Sequence, residues 1–245
     1  MRRLSICFVA ALLLVSCAAM NYDTMSESEL FDKAQSYFDR GKYVRAQEAF
    51  EAFLQRYPFS RKVATAELRV ADCMYYRGNY EEARASYEEF RKRHPLHPEI
   101  PHALLFEAKC YYAQRLSYDR DQKNLKEAEA KLLELIERYP SSISAKEARE
   151  ILHDVRNQLC RREIYVGKFY LKQKERYAAV LRFERAIELY SGEKCYPEAL
   201  YYAAKAWLEL GEPAKARPHL ETLSARFPES DWAKKARALA TKDGG

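Results

Sequence analysis

The residues of this chain that could do chemistry are five histidines, six cysteines and a scatter of paired carboxylates. His94, His97 and His102 are close enough in sequence to suggest a metal site. Pro95 and Pro98 interrupt them, however, and ligands need a convergent geometry that a Pro-rich segment rarely supplies. His153 and His219 stand alone. Carboxylate pairs such as Glu81-Glu82 and Glu88-Glu89 fall on helical surface positions and read as solvated faces. No G-x-S-x-G, phosphate-binding loop or H-E-x-x-H motif occurs. A catalytic reading would need His153 or Cys160 in a convergent pocket with perturbed pKa. The sequence is therefore read as non-enzymatic, with no cofactor and no metal.

The cysteines say more about compartment than about reactivity. Arg2 and Arg3 precede an apolar stretch from Leu4 to Val15, which has the build of a secretory leader and is too short for a spanning helix of ~20 residues. Its end, Leu14-Val15-Ser16-Cys17, resembles the bacterial lipobox, in which the chain is cut before the cysteine and that cysteine is acylated. The alternative is a plain signal peptide with a chance cysteine. Ala18 stands where an Asp would favour inner-membrane retention, so the resemblance implies outer-membrane sorting by a lipid anchor at Cys17. Cys7 leaves with the leader. Cys73, Cys110, Cys160 and Cys195 remain, with no C-x-x-C pair. In an oxidising periplasm two disulfides are possible in three pairings. The expectation is that all four are small buried hydrophobes in helices.

The elements that must position any site are helical. Apolar residues make up 48% of the 245, charged residues 32%, and Gly (7) and Pro (9) are scarce, which excludes disordered, collagen-like and hairpin-rich β folds. The net charge of +6 is spread evenly, without the basic stripe or recognition motif of a nucleic-acid binder. No nucleic-acid partner is expected.

A repeat organises the chain. Helical stretches end at Tyr57-Pro58, His94-Pro95, Tyr139-Pro140, Tyr190-Ser191 and Phe227-Pro228. Twelve residues before each terminal Pro or Ser stands Ala: Ala46, Ala83, Ala128, Ala179 and Ala216. Eight before stands a large apolar residue: Phe50, Tyr87, Leu132, Phe183 and Leu220. Seventeen before stands Gly41, Gly78 or Gly211, with Lys123 and Lys174 in the other two repeats. The Gly permits the tight turn that ends a first helix, the Ala lets the second helix approach closely, and the bulky residue fills the space beside it. Leu30, Ala34 and Tyr37 in repeat one, and Leu200, Ala204 and Trp207 in repeat five, complete the tetratricopeptide (TPR) pattern.

The predicted fold is all-α: a TPR superhelix of five helix-turn-helix repeats plus a C-terminal capping helix near Asp231 to Ala240. Residues 1–16 are read as the lipoprotein signal peptide, 17–28 as a lipidated tether and 29–241 as the solenoid, with halves at about 29–140 and 141–241. Repeat three holds a polar insertion at Ser117 to Gln122. Repeat four opens with a long helix from about Ala145 to Leu171.

A solenoid binds partners along its concave groove, lined mainly by the first helix of each repeat. Tyrosines are doubled there, at Tyr75-Tyr76, Tyr111-Tyr112 and Tyr201-Tyr202. Adjacent helical positions lie about 100° apart, so one ring of a pair can pack while the other faces the groove. Either all of these rings serve packing, or they form a platform for an extended peptide.

Beyond the generic repeat, the sequence resembles the BamD family of outer-membrane assembly lipoproteins. Arg56-Tyr57-Pro58-Phe59-Ser60 resembles its first junction, His94-Pro95-Leu96-His97-Pro98 its second and Tyr139-Pro140-Ser141-Ser142 its third. Asp119-Arg120-Asp121-Gln122 is similar to its inserted loop. Arg156, Leu159, Glu163 and Tyr170 follow the spacing of its long helix, and Ala178-Ala179-Val180-Leu181-Arg182-Phe183 matches its Ala-Ala-x-x-Arg-Phe. Ser191 departs from the usual Pro and Cys160 from the usual Ala, and residues 192–197 are irregular.

The resemblance implies a subunit of the β-barrel assembly (BAM) complex on the periplasmic face of the outer membrane. Its partners would be a BamA-like barrel subunit, other assembly lipoproteins and unfolded outer-membrane proteins. Arg182 and Phe183 would lie on the BamA side; Phe59, Tyr75 and Tyr76 would bind substrate. The alternative is another periplasmic TPR lipoprotein that scaffolds envelope or cell-wall enzymes.

Overall fold

In the computed structural model, residues 22–240 are described, and over them the chain folds into eleven helices. They are α1 (Glu27–Asp39), α2 (Tyr43–Arg56), α3 (Val63–Tyr76), α4 (Tyr80–Arg93), α5 (Ile100–Ala113), α6 (Lys123–Arg138), α7 (Ile143–Lys172), α8 (Arg176–Leu189), α9 (Tyr196–Glu209), α10 (Pro213–Arg226) and α11 (Asp231–Ala240). Each helix packs on its chain neighbour, giving the five expected repeats from α1/α2 to α9/α10, with α11 covering α9 and α10. The expected signal peptide at residues 1–16, and Cys17, lie outside the described residues.

The repeat ruler corresponds to packing. Ala46, Ala83, Ala128, Ala179 and Ala216 are fully enclosed, as are Phe50, Tyr87, Leu132 and Phe183. Leu220 is partly buried against the cap. Gly41, Gly78 and Gly211 take φ of 69°, 84° and 76°, the left-handed turn the ruler requires. Lys174 takes the same conformation, φ 66°, although it has a Cβ. Lys123 departs from this pattern: the polar insertion lengthens the turn, and Lys123 becomes the first residue of α6. Inside the insertion Gln122 Nε2 donates to the Ser117 and Arg120 carbonyls, which holds the loop closed.

Local signals set the helix ends. Ser26 and Glu29 form a reciprocal capping box at the start of α1, and the Ser142 hydroxyl accepts from the Ala145 N–H at the start of α7. Helix α1 thus begins at Glu27, slightly ahead of the expected boundary at 29. Residues 22–26 already lie against the body: Tyr57 Oη donates to the Met25 carbonyl (2.6 Å) and Arg56 Nη1 to that of Tyr22 (3.1 Å).

Helix α7 is about 45 Å long by its 30 residues. Its buried positions Ala145, Ala148, Leu152, Val155 and Leu159 recur every three or four residues, so one stripe serves α6 and α5 and its continuation serves α8 and α9.

The cysteines divide. Cys73 and Cys110 are buried free thiols, as expected. Cys160 of α7 and Cys195 at the start of α9 are bonded to each other, which corrects the expectation of four unpaired hydrophobes. Cys195 lies in the irregular 192–197 segment, which had no helical ruler to place it. That segment is tied to one face of α7 by Cys160, by Asn157 Oδ1 accepting from the Cys195 N–H (3.1 Å), and by His153 beside Glu193 (3.2 Å).

Candidate functional site

First helices touch one another along the array, α3 on α5, α5 on α7 and α7 on α9, whereas α2, α4, α6 and α8 share no comparable contact. The solenoid therefore curves with its first helices inside, and residues at their ends line the groove.

At the N-terminal end of that groove an aromatic layer forms. Tyr76 is 47% exposed, stacks on Tyr43 at 4.8 Å and meets Phe38 edge-on at 6.0 Å. Tyr75, one residue back, turns into the array: it meets Phe106 at 4.9 Å and Tyr80 at 5.5 Å, and burial pushes its hydroxyl up to about 12. The doublet thus splits as a 100° step requires, one ring packed and one presented. Arg69 lies over Phe38 and Lys109 over Phe106, framing the layer with positive charge.

A buried polar hub fixes this layer from beneath. Asp72, 1% exposed, accepts from Arg69 Nη1 and Tyr87 Oη and lies beside His102 Nε2, each at 2.7 Å. Burial raises the Asp72 pKa, but the His102 hydrogen bond and charge, with help from Tyr87 and Arg69, outweigh it and hold the carboxyl below its ordinary value. The His102 ring in turn stacks on Phe106 at 4.3 Å. A second hub one repeat on has the same logic: Glu107, 1% exposed, lies 2.6 Å from Arg91 and 2.9 Å from Lys131.

Phe59 is not part of this layer. It occupies the junction before α3, is 99% exposed, and lies a helix length, about 20 Å, from Tyr75 and Tyr76. The structure thus separates one expected substrate residue from the other two. Phe38, Tyr43 and Phe106, which complete the layer, had not been singled out. Their signal is an aromatic residue on either side of the Gly41 turn and another within α5.

At the C-terminal end, Arg182 of α8 projects from the core beside Glu163 of α7 at 3.2 Å, with Arg185 at 3.7 Å from the same carboxylate. They line a polar cavity of about 390 Å³ together with Arg120, Lys126 and Arg162. Phe183 is different. It is fully buried, stacks on Tyr202 at 5.5 Å and fills the space above Gly167, so the expectation that it touches a partner is corrected: its ring seats α8 on α7 and α9. The other doublets also serve packing. Tyr112 donates to Asp154, and Tyr201 and Tyr202 meet Trp232 of the cap.

The residues that could carry chemistry are dispersed. His94 pairs with Glu67 and His102 with Asp72, on separate carboxylates, and among the described residues no three His, Cys, Asp or Glu gather in a metal-holding group. Cys160 is committed to its disulfide. Burial pushes the thiols of Cys73 and Cys110 up to about 12, which leaves them protonated and unreactive at neutral pH. No helix among the described residues is long and apolar enough to cross a membrane.

Fold and groove together define a TPR-type α-solenoid. The profile of the YfiO family, described as outer membrane lipoproteins, matches residues 23–222, and the chain belongs to that family. Among curated relatives, the "outer membrane protein assembly factor BamD" of Rickettsia prowazekii is 27% identical over 83% of this chain and 81% of its own length. That of Neisseria meningitidis serogroup A is 27% identical over 84% and 81%. The protein of the same name from Caulobacter vibrioides is 32% identical over 54% of this chain, a match spanning 44% of that relative's length. Among solved structures, the TPR2AB domain of yeast Sti1 covers 89% of this chain at 13% identity, with a TM-score of 0.45.

Proposed function

We propose that this chain is an outer-membrane protein assembly factor, a non-enzymatic lipoprotein subunit of the machinery that inserts β-barrels. The observation that carries this reading is the family match over nearly the whole solenoid, joined to a leader that ends in a lipobox at Cys17. The protein would sit on the periplasmic face of the outer membrane, held by acyl chains on Cys17.

Its groove would do the receiving. An unfolded barrel protein offers an extended, aromatic-rich strand, and Tyr76 with Tyr43 and Phe38 gives such a strand a preformed stacking surface at little entropic cost. Arg69 and Lys109 would attract a terminal carboxylate. Tyr75 supports the platform from behind. The C-terminal repeats would dock a BamA-like barrel subunit, with Arg182 as the residue closest to that contact. Glu163 pre-orients the Arg182 guanidinium, so a partner carboxylate meets a fixed donor. Other assembly lipoproteins would complete the complex.

A detergent pull-down of the intact lipidated chain from native envelopes, followed by mass spectrometry, tests this. BamA recovered in near-stoichiometric amount supports the reading, and Arg182→Glu should then weaken that recovery with helicity unchanged. Recovery of cell-wall enzymes without BamA would overturn it and leave a scaffold of a different complex.

A further inference from the structure

The three most exposed large apolar side chains among the described residues are Phe59 (99%), Leu96 (96%) and Ile143 (92%); the next, Tyr177, is 63% exposed. Folding leaves such side chains in water only singly and by chance, or because something covers them. Their placement is not scattered. Phe59 lies between α2 and α3, Leu96 between α4 and α5, and Ile143 at the first residue of α7, just after α6. Each is therefore at a junction between successive repeats. In an up-and-down array these junctions share one edge, opposite the Gly41 and Gly78 turns.

The row ends where the edge ends. The fourth junction does not align with the first three, because α8 folds back along only the C-terminal half of α7. Cys195 is bonded to Cys160, so this junction is set back from Ile143 by about 25 Å along the helix. There the exposed residues are Ser191, Gly192 and Lys194, and at the fifth junction Pro228 and Glu229. At these two junctions no large apolar side chain matches the exposure of the three tips; Leu189, at the end of α8, is 47% exposed.

The chain enters along that same edge. Residues 22–25 are bound to the first junction through Arg56 and Tyr57, and Ser60 Oγ donates to Glu27 at 2.7 Å. From Tyr22 back to Cys17 is five residues, a reach of at most about 18 Å. An acyl group on Cys17 is thus held within about 18 Å of Tyr22, which is itself bound at the first junction through Arg56. Basic residues close the helices that lead into the three junctions: Arg56, then Lys92 and Arg93, then Arg138. Apolar tips flanked by Lys and Arg have the composition of segments that rest in the headgroup region of an anionic bilayer.

From this geometry we infer that the edge carrying Phe59, Leu96 and Ile143 lies on the phospholipid leaflet that holds the anchor, with the three side chains dipping into its interface. The inference rests on lipid attachment at Cys17. One acyl-anchored point leaves a protein free to swivel; three further contacts in a row fix its long edge parallel to the membrane. The groove and the C-terminal repeats would then project at a set height above the leaflet.

Spin labels report this directly. Phe59→Cys, Leu96→Cys, Ile143→Cys and, as a reference, Glu229→Cys are made in the full lipidated chain and labelled with a nitroxide. All four positions are exposed, and the native thiols are buried or bonded, so labelling is confined to the added cysteine. The proteins are reconstituted into vesicles of phosphatidylethanolamine and phosphatidylglycerol. The labels at 59, 96 and 143 should gain oxygen accessibility and lose several-fold in collision with a water-soluble nickel chelate, while the label at 229 remains aqueous. Equal water exposure at all four positions, on a chain that mass spectrometry shows to be lipidated, would overturn the edge contact alone. A chain carrying no lipid would overturn both the anchor and the edge contact. Co-purification with BamA is independent of either result.

Discussion

Gly167 is a small residue deep in a long helix, and replacing it isolates how tightly the fourth repeat is closed. In an open helix, Gly→Ala would stabilise by about 1 kcal/mol, since Ala is the best helix former and Gly among the worst. Here a Cβ on Gly167 would come within 2.7 Å of Phe183 Cζ and nearer still to Cε1, and Phe183 is fully buried. The ring cannot swing out, because Tyr202 stacks on its face at 5.5 Å. Overpacking of this kind costs about 1–3 kcal/mol. Subtracting the helix-propensity gain leaves Gly167→Ala destabilising by about 1 kcal/mol, up to 2. In a chain of this size that lowers Tm by about 2–8 °C. Circular dichroism melts of the wild type, Gly167→Ala, Phe183→Leu and the double variant form a cycle. The slimmer Leu makes room for the methyl, so the two substitutions should be coupled by at least about 1 kcal/mol, the double variant being more stable than their sum. If Gly167→Ala alone raises Tm, or the cycle closes with no coupling, the close approach of α7 and α8 is not what fixes the position of Arg182.

Four further outcomes follow from the same physical chemistry. The Cys160–Cys195 bridge closes a loop of 35 residues, worth about 4 kcal/mol by its restriction of the unfolded chain, so Cys160→Ser with Cys195→Ser should lower the urea midpoint. Alkylation of the mature, lipidated chain after non-reducing denaturation should find two free thiols, Cys73 and Cys110; four would refute the bridge. Asp72 has a folded pKa held below its ordinary value of ~3.9, so its contribution is complete above that value and is lost as the pH falls through the lower folded one. Asp72→Asn should therefore flatten the stability profile below about pH 4; an acid limb identical to wild type would remove Asp72 as its source. Lys174 holds a left-handed turn where three other repeats use Gly, at a cost of about 1 kcal/mol or more for its Cβ, partly offset by the entropy a Gly would lose. Lys174→Gly should stabilise by about 0.5 kcal/mol, and a lower Tm would show that the lysine side chain does more at this exposed turn.

The architecture was legible in the sequence because the repeat imposes the same demand five times. An Ala that must admit a neighbouring helix and a bulky residue that must fill the adjoining gap recur at fixed distances from the helix end, and agreement in five places makes the period unmistakable. The long α7 and the capping α11 were legible too, since α11 has no Gly or Pro over its span and α7 has none before Gly167. Less legible were features that depend on what folding brings together from different repeats. Nothing in the spacing of Cys160 and Cys195 distinguishes their pairing from two others; it follows from α8 being short against a long α7. Phe183 looked like a partner residue because it adjoins Arg182, yet a 100° step between neighbours on a helix sends one into the core and the other out. Asp72 and Glu107 gave no sign of being buried, because their partners come from other helices: Tyr87 and His102 for the first, Arg91 and Lys131 for the second.

That division also separates what the repeat needs from what the protein does with it. Positions on the ruler are spent on closing one helix against the next, and four of the five bulky ones are fully buried. Residues free to vary lie where the ruler makes no demand: at the inner ends of the first helices, where Tyr76 is exposed, and at the tips of the junctions, where Phe59 and Leu96 are. The terminal Pro at the first two junctions fixes the chain's direction but leaves the next side chain unconstrained by packing. An apolar residue there gains nothing for the fold, which is why the row of three along one edge carries the proposed leaflet contact. The same reasoning applies to Arg182. Its guanidinium is held by Glu163 at 3.2 Å, and a pair that exposed adds little to stability, about 0–1 kcal/mol. The fold would close as well without it, because Phe183 and Ala179 already seat α8. What the pair does provide is a guanidinium held in one direction in the lining of a polar cavity, which is why Arg182 is the residue proposed to meet an acidic group on a docking partner.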